Sequence, residues 1–176
     1  MKLTWFGGTT LRVHIGGLIL VVDGAAAPVG IDAAELVSGA DRVFGLVQAG
    51  DSLPSVDLAV WKAPRIRPLD AGPALATVLR VRDGIVLVHV DRERPLLLVA
   101  GELPPLGRWI ADAVVVLFGS ADQLTARGTE LLVGPGPRLL VLAAGESELD
   151  VAIPALRPHL EDTGLVALEP RLGLEL

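Results

Sequence analysis

Short apolar runs alternate with glycine and proline along the chain, and this pattern predicts many short β-strands. Residues 10–15 alternate strictly between apolar and polar side chains, which is the period of a half-buried strand. Gly16-Gly17 then marks a two-residue turn before a continuous apolar strand at residues 18–22. Together with an apolar segment at residues 2–6, these elements predict an opening meander of three strands.

The rest of the chain repeats this style and adds a few helices. Three sequential antiparallel strands are predicted at residues 74–81, 85–90 and 95–100, with Asp83-Gly84 as a hairpin turn. Other predicted strands lie at residues 42–47, 57–61, 113–118, 138–143, 165–168 and 172–174. Predicted helices lie at residues 31–38, 106–111, 121–127 and 149–160, with Pro154 near the first turn of the last. Continuous apolar strands indicate sheets buried on both faces, so we predict two mixed sheets packed face to face with helices outside.

Length and composition place this pattern in one folded domain spanning residues 1–176. Residues of the apolar classes make up 51% of the chain, which is enough for a sizeable core. The longest apolar runs are far shorter than the roughly 20 residues of a membrane span, and no signal peptide is recognisable. We therefore expect a cytoplasmic protein that is not a membrane protein.

Charge and residue inventory exclude several kinds of chemistry. The chain has no cysteine, which excludes disulfides and thiolate chemistry. Its net charge of −6 argues against a nucleic-acid partner, although Arg65 and Arg67 form a small basic cluster. The three histidines, His14, His89 and His159, lie far apart without the spacing of a metal site, so we predict structural roles for them.

Several segments resemble the metallo-β-lactamase superfamily. Residues 3–11 read LTWFGGTTL and residues 16–23 read GGLILVVD, similar to the opening strands of the short metal-dependent hydrolases related to ascorbate-lactone hydrolases. Residues 94–102, 109–118 and 138–145 resemble later strands of the same branch, in the same order. The resemblance implies an α/β (α+β) fold, a four-layer αββα sandwich of two mixed β-sheets, in agreement with the pattern above.

The metal ligands that the resemblance implies are largely missing. The family holds two metal ions with histidines and aspartates at the strand ends, and these ions activate a water for attack. Val47, Ala49 and Ser52 stand where the histidines of the main ligand loop would be, and Asp51 alone matches a ligand. Glycines stand at or near two other histidine positions, Gly8 and Gly145, and Glu102 replaces the bridging aspartate. We therefore expect no metal and no cofactor.

The remaining polar residues at these strand ends are the candidate site: Asp23, Asp51, Ser52, Glu102 and Glu146. Oxygen ligands of this kind would suit Mg²⁺ or Ca²⁺ better than zinc, and a carboxylate pair could also perform acid–base chemistry. The competing interpretation is that these carboxylates cap helices and turns. No histidine or lysine is near Ser52 in the sequence to activate it as a nucleophile.

Three functions remain open on these observations. The first is a metal-free, non-catalytic protein that acts as a binding or assembly module and forms a homo-oligomer. The second is a hydrolase that uses Asp51 and Glu102, with or without Mg²⁺ or Ca²⁺. The third is a protein that binds a small-molecule ligand in the former catalytic cleft, which is either open or filled by Leu46, Val47 and Leu53.

Overall fold

A computed structural model describes residues 1–47, 53–64 and 75–176 of the chain. Two β-sheets of five and six strands form its framework. The first sheet contains β1 (Lys2–Gly7), β2 (Thr10–Ile15), β3 (Leu18–Val22), β4 (Arg42–Phe44) and β11 (Gly173–Glu175). The second contains β5 (Ala76–Arg82), β6 (Ile85–Val90), β7 (Leu96–Val99), β8 (Val114–Phe118), β9 (Leu139–Ala143) and β10 (Gly164–Ala167). The described α-helices are α1 (Ala33–Val37), α2 (Ala121–Leu132) and α3 (Glu146–Leu156).

Both sheets are mixed. The first has the spatial order β11-β1-β2-β3-β4, antiparallel except that β4 runs parallel to β3. The second has the order β10-β9-β8-β7-β6-β5, in which β5, β6 and β7 are antiparallel neighbours and β7 to β10 are parallel. The predicted opening meander and the predicted antiparallel trio are both confirmed.

Glycine fixes the tight turn between β5 and β6. Gly84 has a φ of +76°, a backbone angle that residues other than glycine rarely adopt. A Cβ atom at Gly84 would lie 2.8 Å from the backbone nitrogen of Gly101, so the turn packs directly against the chain that leaves β7. The predicted Asp83-Gly84 hairpin is confirmed, and the contact holds the end of β7 in place.

The two sheets share one apolar core. Alternate residues of β1, β2 and β3 point inward, and side chains from β6 to β9 meet them from the opposite sheet. Leu11, Leu20 and Leu98 are fully buried here. Burying a leucine side chain contributes about 1.5–3 kcal/mol, so this shared layer accounts for the face-to-face packing of the sheets.

A second core lies on the outer face of the six-stranded sheet, beneath α2 and α3. Leu124 and Leu131 of α2 pack there with Leu156 of α3. The helices approach closely at Gly128, where a Cβ atom would lie 2.6 Å from Cδ2 of Leu156. The short α1 covers the other sheet, and Arg12 of β2 donates to the carbonyl of Leu36 at 2.9 Å. The prediction of two mixed sheets with helices outside is therefore confirmed.

Four local predictions need correction. The predicted helix at residues 106–111 is instead a 3-10 turn, Arg108–Asp112. The predicted strand at residues 57–61 is wrong: Leu58–Val60 form a turn, started by the Asp57 carboxylate, which accepts from the Ala59 amide at 2.9 Å. Pro154 lies late in α3, not in its first turn, because the helix already begins at Glu146. The predicted strand at residues 42–47 ends early, at Phe44, because the Leu46 amide donates to the side chain of Asp23 instead of continuing the sheet.

Candidate functional site

A pocket opens where strand ends from both sheets meet. Strands β7, β8 and β9 run parallel, so their carboxyl ends lie at one edge of the sheet, and the end of β1 approaches from the other sheet. The pocket has a volume of about 450 Å³. Its lining consists of Trp5, Gly7, Gly8, Thr9, Ala100, Phe118, Gly119, Gln123, Ala143, Ala144 and Gly145. We call it the strand-end pocket.

The strand-end pocket coincides with part of the site that the resemblance implies. Gly8 and Gly145, which stand at or near expected histidine positions, both line it. Of the three side chains that would have filled a closed cleft, Leu46 is fully buried and Val47 is 61% exposed, while Leu53 packs against the core. None of the three lines the pocket, which is therefore open in the part of the chain that the structure describes.

The polar atoms around the pocket are largely engaged within the protein. The indole nitrogen of Trp5 donates to the Gly8 carbonyl at 2.9 Å. The Oε1 atom of Gln123 accepts from the Ser120 amide at 3.1 Å and completes a capping box at the start of α2. The Thr9 hydroxyl donates to Asp23 at 2.6 Å. What remains for a ligand is mainly apolar surface and glycine backbone.

Asp23 serves the fold. Its residue is 8% exposed, and it adopts the left-handed conformation with φ +47°. One carboxylate oxygen accepts from Thr9 and the other accepts from the Leu46 amide at 3.1 Å. Its backbone carbonyl also accepts from the Thr10 hydroxyl at 3.2 Å. The carboxylate therefore joins β2, β3 and the chain after β4, which accounts for its burial without a ligand.

Arg80 fixes the same chain segment from the opposite sheet. Its guanidinium donates to the carbonyls of Leu46 and Gly45, both at 2.8 Å. The Gly84 amide also donates to the Leu46 carbonyl, at 2.9 Å. Asp23 and Arg80 thus hold the chain after β4 between the two sheets, immediately before residues 48–52.

Glu102 and Glu146 do not line the pocket. Glu102 is exposed after β7; burial lowers the pKa of Arg127, and the charge of Glu102 opposes this only in part. Glu146 is exposed in the first turn of α3, where a negative charge favours the helix dipole. Asp51 and Ser52, with Ala49 of the same loop, lie outside the described residues, as do Arg65 and Arg67.

The donor set does not fit a two-metal centre. Gly8 and Gly145 offer no side-chain ligand, and both oxygens of Asp23 already accept hydrogen bonds from the protein. Within residues 1–47, 53–64 and 75–176, no group of three or more histidine, aspartate or glutamate side chains is placed to hold a metal ion. No step of chemistry through such a centre follows from these residues.

The histidines occupy three unlike environments. His14 and His159 are exposed, on β2 and after α3. His89 on β6 is only 6% exposed, and neither ring nitrogen has a hydrogen-bond partner among the described residues. The Oδ1 atom of Asp91 lies 3.8 Å from its Nε2 atom. Burial lowers the pKa of His89, and the charge of Asp91 opposes this only in part.

A second candidate surface lies next to His89, where two tryptophans meet, and the sequence pattern did not predict it. The Trp61 ring meets the His89 ring edge-on at 5.7 Å and the Trp109 ring at 5.0 Å. Two of the chain's three tryptophans thus meet across 48 residues. The signal in the sequence is that each stands beside a basic residue, Lys62 and Arg108, but nothing in the spacing shows that the two pairs meet.

In comparisons with known proteins, no family model, no curated protein and no solved structure matches the chain. Among the described residues, none of the helices has both the length and the apolar character needed to cross a bilayer. The functional argument therefore rests on the geometry above.

Proposed function

We propose that this chain is a non-catalytic binding protein of metallo-β-lactamase-like architecture, and that its strand-end pocket holds a small, neutral, mostly apolar molecule. One observation carries the proposal. The pocket lies where the resemblance would put a hydrolytic centre, yet none of the described residues that line it is charged. Such a lining supports binding better than it supports hydrolysis.

Size and lining favour a compact organic ligand. A volume of about 450 Å³ is within the range of small-molecule sites, roughly 300–1,000 Å³. Trp5 and Phe118 offer aromatic surface, while glycine backbone allows a ligand to approach the chain closely. Shape and apolar contact would therefore supply most of the affinity.

Electrostatics favour a neutral ligand over an anion. Two helices begin at the pocket, and a helix N-terminus attracts negative charge. The start of α2 is satisfied by its own capping box, and the first turn of α3 already carries Glu146 and Glu148. A charged ligand would lose its hydration without finding a charged partner in the lining, which is costly.

An assembly role is the second part of the proposal. Strand β4 ends one sheet, and its Val43 is 47% exposed. An edge strand with an exposed apolar side chain favours pairing with a second copy of the chain. Light scattering during size-exclusion chromatography tests this: a mass of 18.4 kDa, that of the single chain, at micromolar concentration would refute self-association.

Dye binding tests the pocket. Nile red, a neutral apolar dye, should bind the full chain at one saturable site with increased fluorescence. Ala100→Phe places a large ring in the pocket, and we expect it to weaken binding about tenfold or more, a loss of about 1.4 kcal/mol. Ala155→Phe, on the exposed face of α3, adds the same ring away from the pocket and should leave binding unchanged.

Two results would overturn the proposal. Equal binding by the wild type and by the Ala100→Phe variant would show that the dye does not use the pocket. Stoichiometric, tightly bound zinc or iron in protein purified without chelator would show that a metal centre forms despite the missing ligands.

The carboxylate hydrolase has less support. It needs Glu102 to act together with Asp51, but Glu102 is exposed, outside the pocket lining, and within electrostatic reach of Arg127. Hydrolysis of a lactone or ester panel that is lost in both Asp51→Asn and Glu102→Gln variants would revive it.

A further inference from the structure

An open groove with aromatic walls lies on the outer side of the six-stranded sheet, at the turn after Leu58 and the 3-10 turn Arg108–Asp112. Trp61 and Trp109 stand nearly perpendicular in it, with ring centroids 5.0 Å apart and an angle of 80°. The groove has a volume of about 780 Å³. Its lining is Ala59, Val60, Trp61, Lys62, Ala63, Pro64, Gly107, Arg108 and Trp109, and we call it the tryptophan groove.

Hydrogen bonds fix the two walls against each other. The carbonyl of Leu58 accepts from the Gly107 amide at 3.0 Å and from the indole nitrogen of Trp109 at 2.7 Å. A Cβ atom at Gly107 would lie 2.9 Å from the Ala59 carbonyl oxygen, so the two chain segments touch directly. The groove is therefore preformed, and a partner would not have to order it.

One aromatic residue of the groove, Trp61, contacts the buried His89. The Trp61 ring packs edge-on against the imidazole at 5.7 Å, which holds the indole in a fixed orientation. Rigid aromatic rings offer a large apolar contact at a low entropic cost, and tryptophan is among the residues most often found at the centres of protein–protein interfaces.

The charge of the groove is opposite to that of the whole molecule. Lys62 and Arg108 are exposed in its lining, and none of the described lining residues is acidic, while the chain as a whole carries −6. Neither cation forms an ion pair with any described residue. Val60 beside them is 72% exposed, so an apolar side chain and two unpaired cations face solvent together.

We propose that the tryptophan groove is a docking surface for an acidic peptide segment of a partner protein. An apolar side chain of the segment packs between Trp61 and Trp109, and flanking carboxylates pair with Lys62 and Arg108. Apolar and aromatic residues at the centre with charged residues at the rim form the usual arrangement of a protein-binding surface. Charge complementarity selects an acidic segment over a neutral or basic one. The inference does not depend on the strand-end pocket, which lies at a different part of the six-stranded sheet.

A displayed peptide library tests the groove without knowledge of the natural partner. Random 12-residue peptides on phage are selected on the full-length chain, and the enriched sequences are synthesised with a fluorophore for polarisation titrations. We expect aspartate or glutamate on either side of an aromatic or aliphatic residue. Because rim charges steer association, we expect the measured affinity to fall as salt is raised.

Charge-reversal variants place the binding site. The Lys62→Glu, Arg108→Glu double variant should bind the selected peptides about tenfold more weakly or worse. The matched control is Arg157→Glu, an exposed cation after α3 that does not line the groove and should leave binding unchanged. All these side chains are exposed, and thermal melts of the variants confirm that the fold is retained.

Three outcomes would overturn the proposal. The first is a library that enriches no sequence above its level on the double variant. The second is equal binding of the selected peptides by the double variant and the wild type, which would place their site elsewhere. The third is an oligomer of the wild type, seen by light scattering, that the double substitution dissociates, in which case a second copy of this chain occupies the groove.

Discussion

The strand-end region and the tryptophan groove each lie next to a buried polar side chain, and the hydrogen bonding of these two side chains differs. Asp23 is 8% exposed, and both of its carboxylate oxygens accept hydrogen bonds. His89 is 6% exposed, and neither of its ring nitrogens has a hydrogen-bond partner in the part of the chain that the structure describes. A buried charge is tolerated where protein donors replace water, whereas the imidazole remains buried most easily as the neutral form.

Asp23 is therefore a structural link within the fold, whereas His89 is a site at which protonation lowers stability. Removing the Asp23 carboxylate leaves its hydrogen-bond donors without an acceptor, so we expect a large loss of stability. Changing the protonation of His89 costs stability only when the solution supplies the proton. We expect the largest change in stability at Asp23 and the smallest at His89.

Asp23→Ala should cause the largest loss of stability. The change leaves the Leu46 amide and the Thr9 hydroxyl without their acceptor, and hydrogen bonds to a charged group contribute about 1.5–3 kcal/mol each. We expect the free energy of unfolding, measured in urea, to fall by about 3 kcal/mol or more.

Asp23→Asn is the matched control for the backbone. Asparagine tolerates the left-handed conformation at φ +47° but exchanges one acceptor oxygen for a donor. We expect an intermediate loss of stability. A loss for Asp23→Ala of less than about 1 kcal/mol would contradict the structural role of this carboxylate.

Arg80→Met should have a smaller effect on the same segment. Methionine keeps an apolar side chain between the sheets but removes the donors to the carbonyls of Gly45 and Leu46. The Leu46 carbonyl keeps the Gly84 amide at 2.9 Å, so only part of its bonding is lost. We expect a loss of about 1–3 kcal/mol in urea unfolding, and Arg80→Lys should recover part of it by donating to a single carbonyl.

Acid should weaken the fold through His89. Burial holds its pKa below the ordinary value of 6.5, so between 6.5 and the lower folded value the unfolded chain binds the proton and the folded chain does not. The stabilising contribution is therefore complete above pH 6.5 and is lost as the pH falls below it. Melting temperatures measured from pH 8 to pH 5 should show this decline.

His89→Leu should remove most of that decline, and at neutral pH it should leave stability unchanged or higher because the change removes two buried ring nitrogens that have no hydrogen-bond partner among the described residues. His14→Gln is the matched control, since His14 is exposed and solvent screens the effect of its charge on stability. If the His14 variant flattens the pH profile and the His89 variant does not, the assignment to His89 is wrong.

Local patterns were sufficient to predict much of the fold. Strands β2, β3 and β6 have the predicted bounds, because a glycine turn borders each of these segments on at least one side. The Asp83-Gly84 turn was equally readable, since a two-residue hairpin requires positive φ. The mixed character of the two sheets followed from the order of these elements.

Tertiary contacts decided what the local pattern could not. The segment at residues 57–61 has the short apolar run of a strand, but the Asp57 carboxylate turns the chain there, and the Leu58 carbonyl accepts hydrogen bonds from a segment about 50 residues later. The start of α3 was missed because Gly145 offers no capping side chain. The helix was therefore expected to begin at the first apolar residues, which put Pro154 in the wrong turn.

The location of the candidate site could be predicted from the sequence, but the hydrogen bonds and contacts of its residues could not. The missing ligands at Gly8 and Gly145 follow from the resemblance, and the strand-end pocket lies between them. That both oxygens of Asp23 are occupied depends on the Leu46 amide, which is distant in the sequence. The tryptophan groove depends on two dipeptides that meet only after folding.

The amide of Leu46 has a consequence for the dynamics of the molecule. Its hydrogen points at a buried carboxylate, while the carbonyl of the same residue is held by Arg80 and Gly84 from the other sheet. Exchange of that hydrogen with solvent requires the two sheets to separate at this point. In deuterium-exchange NMR, the Leu46 amide should therefore exchange at the rate set by global unfolding, although it lies outside any strand.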